Sequence, residues 1–423
     1  MSGNLGLGVT ARQVAAVILS KGFPLAVLDI DPGAGRGNYD HSFQKHLVSS
    51  AEALPHSINL FVLSPGSLCA IAESPAQRCL LLKPDCIQSA VLMWEHTIIP
   101  RRWLSTLQRL DMIVAGSSFV QAAFATRLDG VLTIPALFPL RIPQVLPSRQ
   151  RFGLPPDVVI FVTSLEPRSD PERKNPLAAV EAFGRAFPAD VRAMLVIKVN
   201  NPMGESNQPA MMLRLREASA RDPRIRIIEE QYSYEQVLTL YAACDVFVSL
   251  HRSEGFGLGL IEAMALGKPV IATAWSGNMT FMNSLNSCLV GYRLIPVKAT
   301  HREYSKRLLG RGAVWADPDI ADAATWMTRL AQDASLRSAI GSSASAWVAA
   351  YETEAERGAF LDEITTRSEQ LPHMPSYQRR KEGLHAWERE LVRGDKRRAR
   401  RESITSRLSQ YRWSVKRLLG KHS

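Results

Sequence analysis

A chain of 423 residues exceeds the ~250–300 at which a single hydrophobic core stops growing, so two domains are expected. Apolar residues make up 46% and charged residues 22%, an ordinary globular composition, and no run of ~18 apolar residues offers a membrane-spanning helix. The formal charge of +11 is concentrated at one end: residues 379–423 hold 15 Lys and Arg against 5 Asp and Glu, leaving 36 of the 51 basic and 35 of the 40 acidic residues in the rest. A nucleic-acid enzyme carries its positive charge on its folded domains, so no nucleic-acid partner is expected.

The opening MSGNLGLG has no basic segment leading into a cleavable apolar stretch, so no secretory signal is expected. Five scattered cysteines (Cys69, Cys79, Cys86, Cys244, Cys288) form no CxxC pair, which fits reduced thiols in the cytoplasm and argues against a disulfide framework or a zinc knuckle. Apolar runs then recur at 25–30, 58–63, 90–94, 112–115 and 131–134, separated by helical spacing or polar loops. Prolines at 135, 139, 143 and 147 interrupt the pattern with a spacing that no helix interior tolerates, and read as a linker. The alternation restarts with runs at 158–163, 194–199, 225–228, 246–250 and 270–273. Val/Ile/Leu runs without in–out alternation suit parallel strands buried on both faces. The expectation is an α/β protein of two doubly wound, Rossmann-like parallel-sheet domains, 1–145 and 151–350, facing a cleft. A closing helix and linker (351–378) and a basic amphipathic tail (379–423) follow.

The segment 249–278, SLHRSEGFGLGLIEAMALGKPVIATAWSGN, carries the chemistry. Glycines 255, 257 and 259 leave the backbone open where a strand turns into a helix, which is apolar from Leu260 to Leu266. Gly267 and Pro269 end the helix before the next strand. Strand, glycine-rich turn and buried helix place free N–H groups at the carboxyl edge of a parallel sheet, an arrangement suited to phosphate. Glu262 lies roughly 6 Å up the helix axis at ~1.5 Å per residue, and its side chain leans back toward the same pocket as Glu254. An ionised carboxylate on an apolar helix needs a partner, and vicinal ribose hydroxyls would serve.

Glu254 and Glu262, eight residues apart around this turn, strongly resemble the donor site of retaining glycosyltransferases of family 4, which have the GT-B fold. The resemblance implies that Glu254 contacts the donor sugar and Glu262 the nucleotide ribose, with Gly255, Phe256, Gly257 and Leu258 lining the donor site. RKNPLAAVEAF, from Arg173, is similar to the family's basic pair, implying that Arg173 and Lys174 grip the donor diphosphate. Trp94-Glu95-His96 and DMIVAGSSFV (111–120) resemble the acceptor-side half of bacterial polysaccharide-assembly, mannosyltransferase-like members, making Glu95 and His96 candidate catalytic groups beside Glu254. GNLGLGVTAR resembles the family's first glycine-rich loop, placing Gly6 and Gly8 near the reacting sugar. Such a loop follows a strand, and too few residues precede it here, so either the start of the sequence is placed too late or the first sheet lacks its first strand. By this resemblance the chain is a cytoplasmic hexosyltransferase of surface polysaccharide synthesis. It uses a nucleotide sugar, with GDP-mannose the suggested donor, and a glycan or lipid-linked acceptor. No metal or other cofactor is expected, because cationic side chains and helix N–H groups replace a metal. Retention by front-face attack or by double displacement stays open. The alternatives are a GT-B phosphorylase and a decayed transferase serving as an assembly scaffold.

Other patterns carry less. Asp29-Ile30-Asp31 spells a metal-binding triplet but ends an apolar run, and Gly6-Leu7-Gly8 lacks the third glycine of a dinucleotide fingerprint. Asn278-Met279-Thr280 is a glycosylation sequon without meaning in a cytoplasmic chain. His251 and Arg252 stand on the Glu254 loop with a donor-side or a structural role. In the tail, Ile404, Leu408, Tyr411, Val415, Leu418 and Leu419 fall on one helical face between basic residues, a pattern suited to an anionic membrane surface.

Overall fold

The computed structural model describes residues 6–30, 40–83, 85–128, 130–167, 169–188, 192–203, 210–298, 309, 312–370, 373, 377–378, 381–397 and 399. The first domain is built on a parallel sheet of β1 (Ile58–Leu63), β2 (Ile87–Leu92), β3 (Met112–Ala115) and β4 (Leu132–Pro135), in that order. The expected runs sit within two residues of these strands, except at 90–94, where the strand begins three residues earlier. Every residue of β2 and β3 is buried, as both faces of a parallel sheet require. Helices α1 (Gly6–Ser20), α2 (Pro65–Glu73), α3 (Arg101–Leu107) and α4 (Ser118–Ala125) cover the sheet. The start of α2 follows from Ser64 and Pro65: the Ser64 hydroxyl accepts from the Ser67 N–H at 3.1 Å, and proline occupies the first turn, where its missing N–H costs nothing.

Two expectations fail in this domain. The run 25–30 forms no extended ladder; a single parallel bridge joins Val27 to Leu47. Gly6 and Gly8 stand in the first turns of a helix rather than in a loop. Val9, Val14 and Val17 recur at helical spacing and bury one face, which outweighs the low propensity of the two glycines.

The proline-spaced stretch crosses to the second domain without regular structure, while Phe138 and Leu140 remain buried. There the sheet runs β10 (Cys288–Val290), β9 (Val270–Thr273), β8 (Val246–Ser249), β5 (Val159–Leu165), β6 (Ala193–Val199) and β7 (Ile225–Ile228), all parallel. Helices α5 (Pro171–Lys174), α6 (Pro176–Ala186), α7 (Ala210–Arg221), α8 (Tyr234–Ala243) and α9 (Leu258–Ala265) link the strands. From β5 the chain fills one side of the sheet with β6 and β7, then returns to place β8 beside β5 on the other. Loops leaving β5 and β8 therefore diverge, opening a crevice at the carboxyl edge of these two strands. An antiparallel pair, β11 (Tyr292–Pro296) and β12 (Val314–Pro318), lies beside this sheet.

Three further segments tie the domains together. After α10 (Ile320–Gln332), α11 (Ala334–Glu356) packs on α9 at Gly341, where a Cβ would stand 2.1 Å from the Gly267 carbonyl oxygen. Helix α12 (Ala359–Gln370) buries Phe360, Leu361 and Ile364 in the core of the first domain. Beyond it, the helical segment 381–397 buries Leu384 and Trp387 in the same domain. Lys381 meets Asp85 at 2.9 Å and Arg78 meets Asp395 at 2.6 Å. Within the expected basic amphipathic tail, 381–397 is thus a docked segment, because Leu384 and Trp387 find a core. The expected amphipathic helix over 404–419 lies outside the described residues. Among the described residues no helix is long and apolar enough to cross a membrane.

Candidate donor site at the sheet switch point

The loop after β5 is shaped by Asp170. Its carboxylate accepts from the Glu172 N–H at 2.9 Å, so the short helix α5 begins there and carries Arg173 and Lys174 to the crevice. Asn175 ends the turn in the left-handed region (φ 51°), and its side-chain amide donates to the Leu250 carbonyl at 3.0 Å. Across the crevice, the Arg252 N–H donates to the Arg173 carbonyl at 2.8 Å. The two diverging loops are thereby locked to one another.

Their side chains form an ion cluster. Lys174 Nζ lies 2.5 Å from Glu254 Oε1, and the Arg173 guanidinium 3.2 Å from Glu254 Oε2 and 3.8 Å from Glu95 Oε1. Arg173 also donates to the Ser253 carbonyl at 2.7 Å and the Ser169 hydroxyl at 2.6 Å. Burial by itself would raise the Glu254 carboxyl, but Lys174 and Arg173, with His251 adding, pull it down to about 2. The expected role of Arg173 changes accordingly. Its side chain is 3% exposed and braces Glu254, whereas Lys174 at 24% is the cation turned toward the crevice.

Glu262 has a different environment. It is 4% exposed on α9, and the Tyr234 hydroxyl donates to its Oε1 at 2.8 Å. Burial pushes the carboxyl up to about 8, a rise the Tyr234 hydrogen bond only partly opposes. Burial thus favours the protonated form of this carboxyl, against the ionised carboxylate that the sequence suggests. Tyr234 occupies its place because Ser233 and Gln236 close a capping box at the start of α8. Burial pushes the Tyr234 phenol up, so it stays a donor. From the first domain, Arg12 of α1 exerts its charge on Tyr234 and meets Asp40 at 3.0 Å.

Between the two carboxyls, backbone geometry shapes the turn. Gly257 adopts φ 99°, a conformation open to glycine, and α9 begins at the next residue. Gly277 packs so closely that a Cβ would stand 2.1 Å from the Gly255 carbonyl oxygen. Ser276 before it holds φ 79°, a strain of about 1–3 kcal/mol in a non-glycine residue. That conformation lets its hydroxyl accept from the Glu254 N–H at 2.7 Å, while the Gly277 N–H donates to the Glu254 carbonyl at 2.9 Å.

The first domain closes one side of the turn. Ser117 donates to the Gly255 carbonyl at 2.6 Å, and Ser253 donates to the Glu95 carbonyl at 2.6 Å. A Cβ on Gly255 would stand 3.2 Å from the backbone of Trp94. At the start of α1, a Cβ on Gly6 would stand 3.9 Å from the Leu258 side chain. Gly6, Leu258, Lys174, Glu254 and Glu95 thus meet at the seam between domains, with Gly8 one half-turn further along α1. Phe256 faces inward against Phe138 and Phe281 and holds the loop in place. His96 is 1% exposed and stacks on Trp315 at 5.8 Å. Burial lowers its pKa to about 3, so it is neutral. His251 is fully buried between the Ser249 hydroxyl, at 3.0 Å from Nδ1, and Asn278 Oδ1, at 3.1 Å from Nε2, a set of partners that assigns the proton to Nε2. Asn278, the sequon residue, is itself buried and donates to the Thr273 carbonyl at 3.0 Å. Asp31 lies outside the described residues; among those described, no group of three His, Cys, Asp or Glu side chains is placed to hold a metal ion.

Sequence reasoning missed Tyr234, Ser276, Gly277 and Ser117. Serine three residues before Gln236 marks the start of α8, but nothing local says that Tyr234, one of the two residues between, will reach Glu262.

Two parallel-sheet α/β domains with their carboxyl edges turned to a common cleft make this a GT-B protein. Within it, residues 148–292, in the second domain, match the family model described as Glycosyl transferases group 1. D-inositol 3-phosphate glycosyltransferase of Mycolicibacterium smegmatis is 33% identical over 133 residues, which make up 31% of this chain and 28% of that protein. The counterpart from Salinispora tropica is 31% identical over 151 residues, 35% and 30% of the two chains. The matches therefore span less than a third of the length of these curated relatives. The solved structure of Anabaena HepE in complex with UDP and glucose is similar with a TM-score of 0.61 at 15% identity, over 86% of this chain and 97% of that one. Sucrose-phosphate synthase of Thermosynechococcus elongatus follows with 0.51 at 17% identity, over 85% and 79%. At these identities the likeness is one of fold.

Proposed function

We propose that this chain is a retaining hexosyltransferase that moves a sugar from a nucleotide sugar to a glycan or lipid-linked saccharide, in surface polysaccharide synthesis. The observation that carries the reading is the pairing of Glu254 with Lys174 at one end of the α9 turn and the buried Glu262, bonded to the Tyr234 hydroxyl, at the other. Glu262 accepts the ribose hydroxyls, the N–H groups at the start of α9 and Lys174 take the diphosphate, and Glu254 orients the donor sugar through its hydroxyls. The leaving group is already a good one, so the work is to stabilise the charge that grows on the diphosphate and to hold the acceptor hydroxyl near the anomeric carbon. Lys174 is placed for the first task, because an arriving phosphate offers it a second anion beside Glu254. Glu95 and the opening turn of α1 face the same seam and serve the acceptor side. His96, neutral and enclosed, positions its neighbours rather than exchanging protons with bulk water. No metal enters this scheme.

The donor is a nucleoside diphosphate hexose. The sequence resemblance suggests GDP-mannose, while the UDP held by the similar HepE structure makes UDP-glucose an equal first choice. Beyond the docked segment, 404–419 would hold the cleft beside a lipid-linked acceptor on the inner face of the membrane. Calorimetry with GDP, UDP and their sugars tests the reading, followed by release of nucleoside diphosphate with and without a chelator. A well-folded chain that binds no nucleoside diphosphate would overturn it, and activity lost to the chelator and restored by manganese would replace the metal-free scheme.

A further inference from the structure

The antiparallel pair β11 and β12 is rooted in the second domain and ends in the first. At its base the Asp319 N–H donates to the Gly291 carbonyl at 2.7 Å, and α10 then buries Ala323, Met327 and Leu330 in the second domain's core. Five paired residues, from Tyr292↔Pro318 to Pro296↔Val314, carry the chain about 16 Å from that base at ~3.3 Å per residue. The Val297 N–H continues the ladder by donating to the Ala313 carbonyl at 3.0 Å. There Val297, Leu309 and Ala313 pack in the core of the first domain, and a Cβ on Gly312 would stand 3.9 Å from the Ile98 side chain.

Three consecutive residues of β12 touch both sides of the cleft. Trp315, 1% exposed, stacks on His96 with ring centroids 5.8 Å apart, and the His96 ring lies 5.2 Å from that of Trp94. The Ala316 N–H donates to the Arg252 carbonyl at 3.0 Å. Asp317, together with Glu172, meets the Arg252 guanidinium at 3.2 Å. Trp94 and His96 flank Glu95 in the sequence, and Arg252 stands two residues before Glu254. One strand thus grips both the segment that carries Glu95 and the loop that carries Glu254.

Direct links across the seam, such as the Ser253 hydroxyl on the Glu95 carbonyl and Arg173 at 3.8 Å from the Glu95 carboxylate, are polar and gain little where water competes. An enclosed indole holds its neighbours differently, through many weak contacts that water cannot replace. The Trp315 indole N–H has no hydrogen-bond partner among the described residues, so packing and stacking keep the ring in place. We propose that Trp315 is a positioning residue: through His96 on one side and Arg252 on the other, β12 sets the separation of Glu95 and Glu254. It would thereby align the acceptor hydroxyl with the donor sugar, a role that rests on the proposed glycosyl transfer. Misplacing reacting groups by ~1 Å costs on the order of a hundredfold in rate, so such a brace matters to turnover without touching either substrate.

The test compares the full chain with Trp315→Ala, Trp315→Leu and Trp315→Phe, first without ligand, by amide exchange. Removing the stacked ring should speed exchange by about tenfold or more at 94–98 and also across the cleft at 252–254, the factor that ~1.4 kcal/mol provides, while β5 and β6 keep their protection. Trp315→Phe leaves a ring against His96 and should restore both segments. Trp315→Leu keeps apolar volume without the ring, and carries the same expectation should Trp315→Ala not fold. Loosening confined to 94–98, or none at either segment, would overturn the proposal and leave Trp315 a packing residue of the first domain. Turnover is then read as release of nucleoside diphosphate from UDP-glucose and GDP-mannose. Trp315→Ala should lower kcat by about tenfold or more while affinity for UDP and GDP stays within about threefold, and Trp315→Phe should recover the rate. Equal kcat in the wild type and Trp315→Ala would also overturn it. A wild type that binds neither UDP nor GDP would sink the donor site itself, and exchange at 252–254 would still decide whether β12 braces the two segments.

Discussion

Glu262 makes nucleotide binding depend on pH in a direction the structure dictates. With its carboxyl at about 8, most of the chain carries a proton there at neutral pH, yet a ribose diol that donates two hydrogen bonds requires the carboxylate. Binding must therefore release that proton, and affinity should rise with pH until about 8, then level off. At pH 6.5 the deficit is about 1.5 pH units, or about 2 kcal/mol, so affinity should be about 30-fold below the plateau. Glu262→Gln keeps an acceptor for Tyr234 and removes the titration, and Tyr234→Phe should move the rise to higher pH by removing the bond that opposes it. Folding responds in the opposite sense. A carboxyl raised in the folded chain contributes most below its unfolded value of 4.5, and that contribution is lost as pH climbs through about 8. Glu262→Gln should accordingly be the more stable chain at pH 8 to 9. The assay is calorimetry with a nucleoside diphosphate from pH 6 to 9, in two buffers of different ionisation enthalpy. The ligand phosphate ionises in the same region, so the quantity read is the difference between wild type and Glu262→Gln. Identical profiles for the two chains would refute the assignment of Glu262 to the ribose.

Arg173→Ala and Lys174→Ala each take a cation from the buried Glu254 carboxylate and should each lower stability, Arg173→Ala by about 3–5 kcal/mol because Glu95 loses the same cation, and Lys174→Ala should in addition slow sugar transfer; an unchanged Tm for Arg173→Ala would show that Arg173 is no internal brace. Gly277→Ala forces a Cβ into the Gly255 carbonyl and should cost about 1–3 kcal/mol together with nucleotide affinity, whereas Gly184→Ala on open helix surface should stabilise by about 0.5–1 kcal/mol, both read by chemical denaturation. Trp387→Ala should destabilise the first domain by about 3–5 kcal/mol, so the membrane anchor is tested by truncation after 399, which should keep Tm and abolish salt-sensitive binding to anionic vesicles. Vesicle binding retained after that truncation would remove the anchor.

Local pattern alone carried the architecture of this protein. Continuous Val/Ile/Leu runs such as 194–199 and 270–273 can only be satisfied where both faces of a strand are covered, and the structure buries them so. The α9 turn was equally legible, because Gly257, the apolar helix and Gly267 are neighbours in sequence and their backbone needs are local. Glu262 stood out as a carboxyl in an otherwise apolar helix, and Glu254 as its counterpart just before the glycine-rich turn.

Tertiary structure alone decided what those residues face. Whether Arg173 meets a ligand or Glu254 depends on a salt bridge spanning some eighty positions of chain, and the charge state of Glu262 depends on a tyrosine from another helix and on burial. The tail illustrates the same limit. Its charge is visible in the sequence, but Leu384 and Trp387 become core residues only because the first domain presents a surface that takes them. Propensity, capping and periodicity act over a few residues and can be read directly, whereas desolvation and ion pairing are set by whatever the fold brings near.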